Sequence, residues 1–203
     1  MFGKWKSQTR LILASGSPRR AEILHHAGFE FDIYVTQTDE SRRARETAAK
    51  YVWRVAAAKA RGAAEKLKGK SGRTIVVGAD TVVLANGKIL GKPSDVKDAR
   101  RMLRLLSGRT HRVLTGLAIL SLPDGAERHH VEATRVRFRK MSNAEIDDYI
   151  ATGEPFGKAG AYAIQGIGGR YVTQVEGCYF NVVGLPLARL CELLDALRWS
   201  DAP

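Results

Sequence analysis

Cysteine is scarce. The 203 residues hold two, Cys178 and Cys191, both late in the chain and at a spacing that matches no zinc or redox motif. A disulfide framework is excluded, and the expectation is reduced thiols in a cytoplasmic chain. Long apolar runs are missing too: the stretch Val113 to Leu120 is broken by Thr115 and Gly116. Nothing approaches the ~20 apolar residues of a membrane span, so no membrane partner is expected. Met1 to Lys6 is basic, but Leu11 to Ala14 is too short for a signal-peptide core. Acidic residues are in short supply, 21 against 33 Lys+Arg, for a formal charge of +12. From Arg42 to Arg73 eleven cations face only Glu46 and Glu65, with Tyr51 and Trp53 the sole aromatics interleaved. A nucleic-acid surface interleaves more stacking groups, so a phosphate-rich small molecule is the better-matched partner.

What is present reads as alternating α and β. Leu11 to Ala14 is a short apolar strand ended by Ser15-Gly16-Ser17, and Pro18 opens a helix with Ser17 at its N-cap. Phe31 to Val35 alternates as a second strand, and a long Ala/Lys/Arg-rich helix runs from Glu46 to Leu67. Thr74 to Ala79 is β-branched; Asp80 interrupts it, and Val82 to Ala85 meets the Asn86-Gly87 hairpin signal. Asp95 to Leu106 is an amphipathic helix, and Arg112–Leu122 and Glu127–Phe138 are strands around Pro123-Asp124-Gly125. Ser142-Asn143-Ala144-Glu145 is a capping box, the glycine-rich stretch from Gly153 to Gly184 is a structured loop with short strands, and Leu185 to Trp199 closes the chain as a helix. The expected organisation is an extension over residues 1–10, one α/β domain over 11–199 and a tail over 200–203.

Several signatures nearly form. Gly69-Lys70-Ser71 lacks the first Walker A glycine, since Ala64 stands there, and Gly166-x-Gly168 lacks its third glycine, since Tyr171 stands there. The pairs His25-His26 and His129-His130 lack zinc spacing. Ser15-Gly16-Ser17-Pro18-Arg19-Arg20 is more telling. A strand-to-helix turn with hydroxyls, exposed amides and two guanidiniums supplies donors and positive potential for an anion. Asp80 sits among β-branched neighbours, where a carboxylate is costly unless paired, metal-bound or at an exposed end. Asp39-Glu40 and Lys92 stand in loops, and such carboxylates suit a hard divalent cation bridging phosphate oxygens.

These segments, in this order, resemble the Maf family of nucleoside triphosphate pyrophosphatases. The resemblance spans about Leu11 to Leu194. It rests on Ala14 to Arg20; on Tyr51, Ala56 and Lys59-Ala60; on Gly78 to Val83; on Gly91-Lys92-Pro93; and on Ser107-Gly108 with His111 and Thr115. Gly157 to Gly166 and Asn181 to Leu187 complete it. The family implies an elongated mixed β-sheet of the ITPase-like type flanked by helices, with the active-site cleft between two lobes. It implies hydrolysis of a nucleoside triphosphate to the monophosphate and pyrophosphate with a divalent cation, Mg, Mn or Co, in a cytoplasmic homodimer.

By position, Asp80 matches the family's proton acceptor, and Arg19, Thr81 and Gln165 match specificity positions. Ser15, Arg20, Glu40, Lys59 and Lys92 match polar positions around triphosphate and metal, with Glu40 and Asp80 as metal ligands. Whether Asp80 is base or ligand stays open. Lys158 to Tyr162 with Gln165 looks like the branch acting on dTTP and UTP, whose chemistry would serve equally to keep modified nucleotides from incorporation or to control normal pools. Ala48, Cys178 and Phe180 depart from common family residues. The alternatives are a pyrophosphatase for 7-methyl-GTP or another modified nucleotide, and a non-enzymatic nucleotide or RNA binder acting in cell division.

Overall fold

The computed structural model describes residues 9–69 and 72–199. Most of the N-terminal extension, Lys70-Ser71 of the broken Walker A string and the C-terminal tail lie outside the described residues. Strands β1 (Thr9–Ala14), β2 (Asp32–Ile33), β3 (Arg73–Ala85), β4 (Lys88–Leu90), β5 (Thr110–Leu122), β6 (Glu127–Phe138) and β7 (Val172–Glu176) form the sheet of the described residues. Its order is β2-β1-β3-β5-β6-β7, with β4 also on β3. β1 pairs in parallel with β2 and β3, whereas β4 on β3 and β7 on β6 are antiparallel, so the sheet is mixed. The helices are α1 (Pro18–His26), α2 (Ala48–Leu67), α3 (Val96–Leu106), α4 (Asn143–Ala151), α5 (Tyr179–Val183) and α6 (Leu187–Trp199).

Two compact units divide the chain. The first holds the described residues up to Asp80, Gly116–Val131 and the chain from Leu185 on; the second is Thr81–Thr115 with Glu132–Gly184. In the first, Ile12, Ala14, Val76 and Ala118 of the strands pack on Ala56, Ala57, Ala60 and Ala63 of α2. The second packs Leu90, Met102, Leu103, Phe138, Ile146 and Tyr149 around its own core.

Three expectations need correction, and a fourth, Ser17 as N-cap, holds in position. Asp80 does not interrupt its strand: β3 runs unbroken from Arg73 to Ala85, because the carboxylate finds an ammonium partner. The second strand shrinks to Asp32–Ile33, paired on β1 alone. Ser17 occupies the N-cap of α1 without a side-chain cap; its own amide instead donates to Ser15 Oγ at 3.3 Å. The glycine-rich stretch contains short 3-10 turns at Ala159–Ala161 and Ile167–Tyr171 and the helix α5, besides β7. The capping box holds as expected, with Ser142 Oγ accepting from Glu145 N and Glu145 accepting from Ser142 N. Cys178 and Cys191 are not joined by a disulfide.

Candidate active site

Close docking of α2 on the sheet sets the geometry. A Cβ on Gly78 would run into the carbonyl oxygen of Ala56 and come within 2.9 Å of Ala60 N. A Cβ on Gly116 would collide with the carbonyl of Val52. Small residues on both sides therefore bring helix and strands together. Side chains of a strand alternate, so Asp80 points to the face that Gly78 presents to α2. One position before Ala60, Lys59 reaches it: Nζ donates to Asp80 Oδ1 at 2.8 Å.

The same ammonium lies 2.7 Å from Glu40 Oε1. Glu40 belongs to a loop clamped onto α2. Tyr51 Oη donates to the Glu40 carbonyl at 2.8 Å, and Arg54 Nη2 donates to the Ser41 carbonyl at 2.9 Å. Arg54 also grips Glu46 through two bonds of 2.7 and 2.9 Å, while Glu46 accepts from Arg43 N. The Arg54 hydrogen bond holds the Glu46 carboxyl down at about 2, against the opposing effect of desolvation. Burial, followed by Asp80 and Glu40, pushes the Tyr51 phenol up to about 12, so it stays a proton donor.

Arg20 completes the cluster from the first turn of α1. It is buried, and Nη1 donates to Ser15 Oγ at 2.8 Å. Desolvation lowers its pKa; Asp80 and Glu40 oppose that, and neighbouring Arg19 reinforces it. Two buried or nearly buried cations, Arg20 and Lys59, thus share a site with two carboxylates and a serine hydroxyl. Such a set binds anions through its donors and can relay a proton through its acids.

Five residues singled out in the sequence, Ser15, Arg20, Glu40, Lys59 and Asp80, are brought together in the first unit, with Arg19 half-buried beside Arg20. Thr81, Lys92 and Gln165 belong to the second. There Thr81 Oγ1 lies 2.9 Å from Thr115 Oγ1, and Thr115 donates to the Asn181 carbonyl. Lys92 and Gln165 are exposed. Gly160 N donates to the Gly91 carbonyl at 3.0 Å, tying the glycine-rich loop to the turn that carries Lys92. Glu154 organises the same loop, accepting from Tyr149 Oη at 2.6 Å and from the amides of Ile167 and Gly168 at 2.9 Å each. Burial works against the Glu154 charge, and these bonds prevail, keeping its pKa low.

Sequence reasoning gave no role to Tyr51 or Glu154. Tyr51 and Lys59, eight positions apart, share one stripe of α2, a spacing that was readable. Glu154 left no such signal, because its partners lie up to 14 residues away in irregular backbone.

Among the described residues no three His, Cys, Asp or Glu side chains gather as a metal cluster. Glu40 and Asp80, joined through Lys59, offer two hard carboxylates, a set that suits a cation taking its remaining oxygens from phosphate and water.

Known proteins resemble this chain over most of its length. A "dTTP/UTP pyrophosphatase" of Anaeromyxobacter sp. (strain Fw109-5) is 49% identical over 201 residues, covering 96% of this chain and 94% of that protein. One of Hahella chejuensis (strain KCTC 2396) is 48% identical, covering 99% and 100%. A solved "Nucleoside-triphosphatase / dITP/XTP pyrophosphatase" from Mycobacterium abscessus is 15% identical, with a TM-score of 0.37 over 95% of this chain and 98% of that one. The family model described as Maf-like protein matches residues 10–197, and the chain belongs to that family.

Proposed function

We propose that this chain hydrolyses dTTP and UTP to the nucleoside monophosphate and pyrophosphate. The observation that carries the chemistry is the meeting of Arg20 and Lys59 with Asp80 and Glu40. The substrate assignment is supported by relatives named dTTP/UTP pyrophosphatase at 46–49% identity.

In this reading water adds across the bond joining the α and β phosphates. Asp80 takes the proton from that water, and the bond breaks so that pyrophosphate leaves with its electron pair. Charge moves onto the leaving group, and fixed cations stabilise that shift more than they stabilise the bound substrate. Arg20 and Lys59 are held in place before substrate arrives, the first by Ser15 and the second by the two carboxylates. Glu40 and Asp80 would hold a divalent cation, Mg, Mn or Co, which supplies further neutralisation of phosphate charge when bound. Lys92 adds a further cation for phosphate, and Arg19 and Thr81 are specificity positions. Gln165 offers both a donor and an acceptor, the pattern that matches the O4 and N3–H edge of uracil and thymine. A cytoplasmic homodimer completes the reading on family resemblance alone, and sedimentation equilibrium measures the assembly.

The test is a nucleotide panel of dTTP, UTP, CTP, GTP and 7-methyl-GTP with Mg or Mn, resolving pyrophosphate from orthophosphate. Pyrophosphate from dTTP and UTP, abolished in Asp80→Asn, is the expected result. Turnover of 7-methyl-GTP alone overturns the role given to Gln165, and orthophosphate as first product overturns the bond assignment.

A further inference from the structure

We infer that the second unit carries another anion site, a groove that binds a compact chain of linked phosphates. The groove measures about 840 Å³, and Arg104, Arg109, Arg137, Arg139 and Lys140 line it without a single carboxylate. Three segments converge there through hydrogen bonds to main-chain carbonyls, so the cations stand on fixed supports. Phe138 N donates to the Arg109 carbonyl at 3.0 Å, and Gly108 N to the Arg139 carbonyl at 3.1 Å. Thr173 Oγ1 donates to the Arg137 carbonyl at 3.2 Å.

Two of the five cations have structural work. Arg139 pairs with Glu145 at 2.6 Å and lies over the Tyr171 ring, and Arg104 Nε donates to Asn143. Arg109, Arg137 and Lys140 make no side-chain hydrogen bond or ion pair with any described residue. Three other arginines of the unit are matched to acids, in Arg100–Asp147, Arg101–Asp98 and Arg135–Glu176. Gathering unmatched like charges in one concave place opposes folding unless an anion offsets it.

The form of the groove narrows the anion. Its volume is that of a small-molecule site, roughly 300–1,000 Å³. Phe138, the aromatic side chain of the lining, is 1% exposed, so no ring face is offered to a nucleobase or to a stacked single strand. Linked phosphates need only the charge. The groove gathers at the start of β5, five residues or about 17 Å along the strand from Thr115 and its partner Thr81.

Nitrogen-15 amide spectra of the full chain test this without using turnover, so the result is independent of the proposed hydrolysis. Inorganic tripolyphosphate is expected to shift the Gly108, Thr173 and Gln174 amides saturably. Arg109→Gln/Arg137→Gln/Lys140→Gln should weaken that response at least about tenfold while leaving dTTP hydrolysis unchanged, because these side chains are exposed and outside the Asp80 cluster. A dTTP arm, run on Asp80→Asn, is expected to shift the same amides no more strongly than tripolyphosphate. Stronger binding of dTTP would mean a base is read, and a response only to a thymidine oligonucleotide would mean a nucleic-acid surface. Either result, or no shift with tripolyphosphate, overturns the proposal.

Discussion

Lys59 places one ammonium between two carboxylates, those of Glu40 and Asp80. Its ammonium and the Asp80 carboxylate are 12% and 11% exposed, so removing one leaves the other poorly hydrated. Breaking such a pair costs about 3 kcal/mol, and the double replacement restores part of it. Lys59→Met is expected to lower the thermal midpoint and to cut turnover at least about 100-fold. Lys59→Met/Asp80→Asn should regain stability and no turnover; a double variant as unstable as the single one would show that the two side chains are not coupled. His111 makes a second residue-scale prediction. Its ring is buried against Phe138 and Tyr162, with Nε2 2.9 Å from Tyr162 Oη, and burial brings its pKa down to about 4 from 6.5. Between those values the unfolded chain binds the proton that the folded chain refuses, so stability falls as pH drops from 6.5 through 4. The loss amounts to about 3 kcal/mol. Thermal midpoints read from pH 7 to 4.5 should fall, and fall less in His111→Gln; parallel curves would remove His111 as the cause.

Helix α2 is the element that assembles the candidate site, since it carries Tyr51, Arg54 and Lys59 and seats against Gly78 and Gly116. Gly78→Ala forces the helix away from the strand, and an over-packed contact of this kind costs about 1–3 kcal/mol. Turnover should drop with stability, because Lys59 moves with the helix; calorimetry and the pyrophosphate assay read the two, and full activity would show that the seat has slack. The glycine-rich loop depends in the same way on Glu154. In Glu154→Ala the Ile167 and Gly168 amides lose their acceptor, and their hydrogen exchange should speed at least about tenfold, with unchanged rates counting against the bond network. Much at this scale was legible: the Ser142 capping box, the Asn86-Gly87 hairpin and the alanine-rich face of α2 are local patterns with local causes. The continuity of β3 through Asp80 was not, because the partner that makes a buried carboxylate tolerable lies 21 residues away on α2. The short second strand and α5 escaped for a related reason: alternation and glycine content speak of backbone preference, while neighbours decide where pairing stops. For the site, Ser15, Arg20, Glu40 and Asp80 stood out through their own surroundings, Lys59 took its role from resemblance, Tyr51 belonged to the resemblance without a role, and Glu154 emerged only from tertiary contacts.

Across the whole molecule ion pairs such as Arg54–Glu46, Arg61–Glu127 and Arg139–Glu145 match cation to anion one for one, so the excess of 33 basic over 21 acidic residues persists as net positive charge. In the proposed mechanism this field draws anions from solution and adds little once they are seated, since short-range bonds to Arg20 and Lys59 would then dominate. Salt screens over about 10 Å at 0.1 M, so it weakens approach far more than contact at a nearly buried pair. For dTTP hydrolysis, kcat/KM should therefore fall steeply as sodium chloride rises from about 20 to about 200 mM, while kcat changes by less than about twofold. Steady-state rates across that range separate the two quantities. A parallel decline in kcat would instead place screened, exposed charges in the chemical step, contrary to a mechanism built on Arg20 and Lys59.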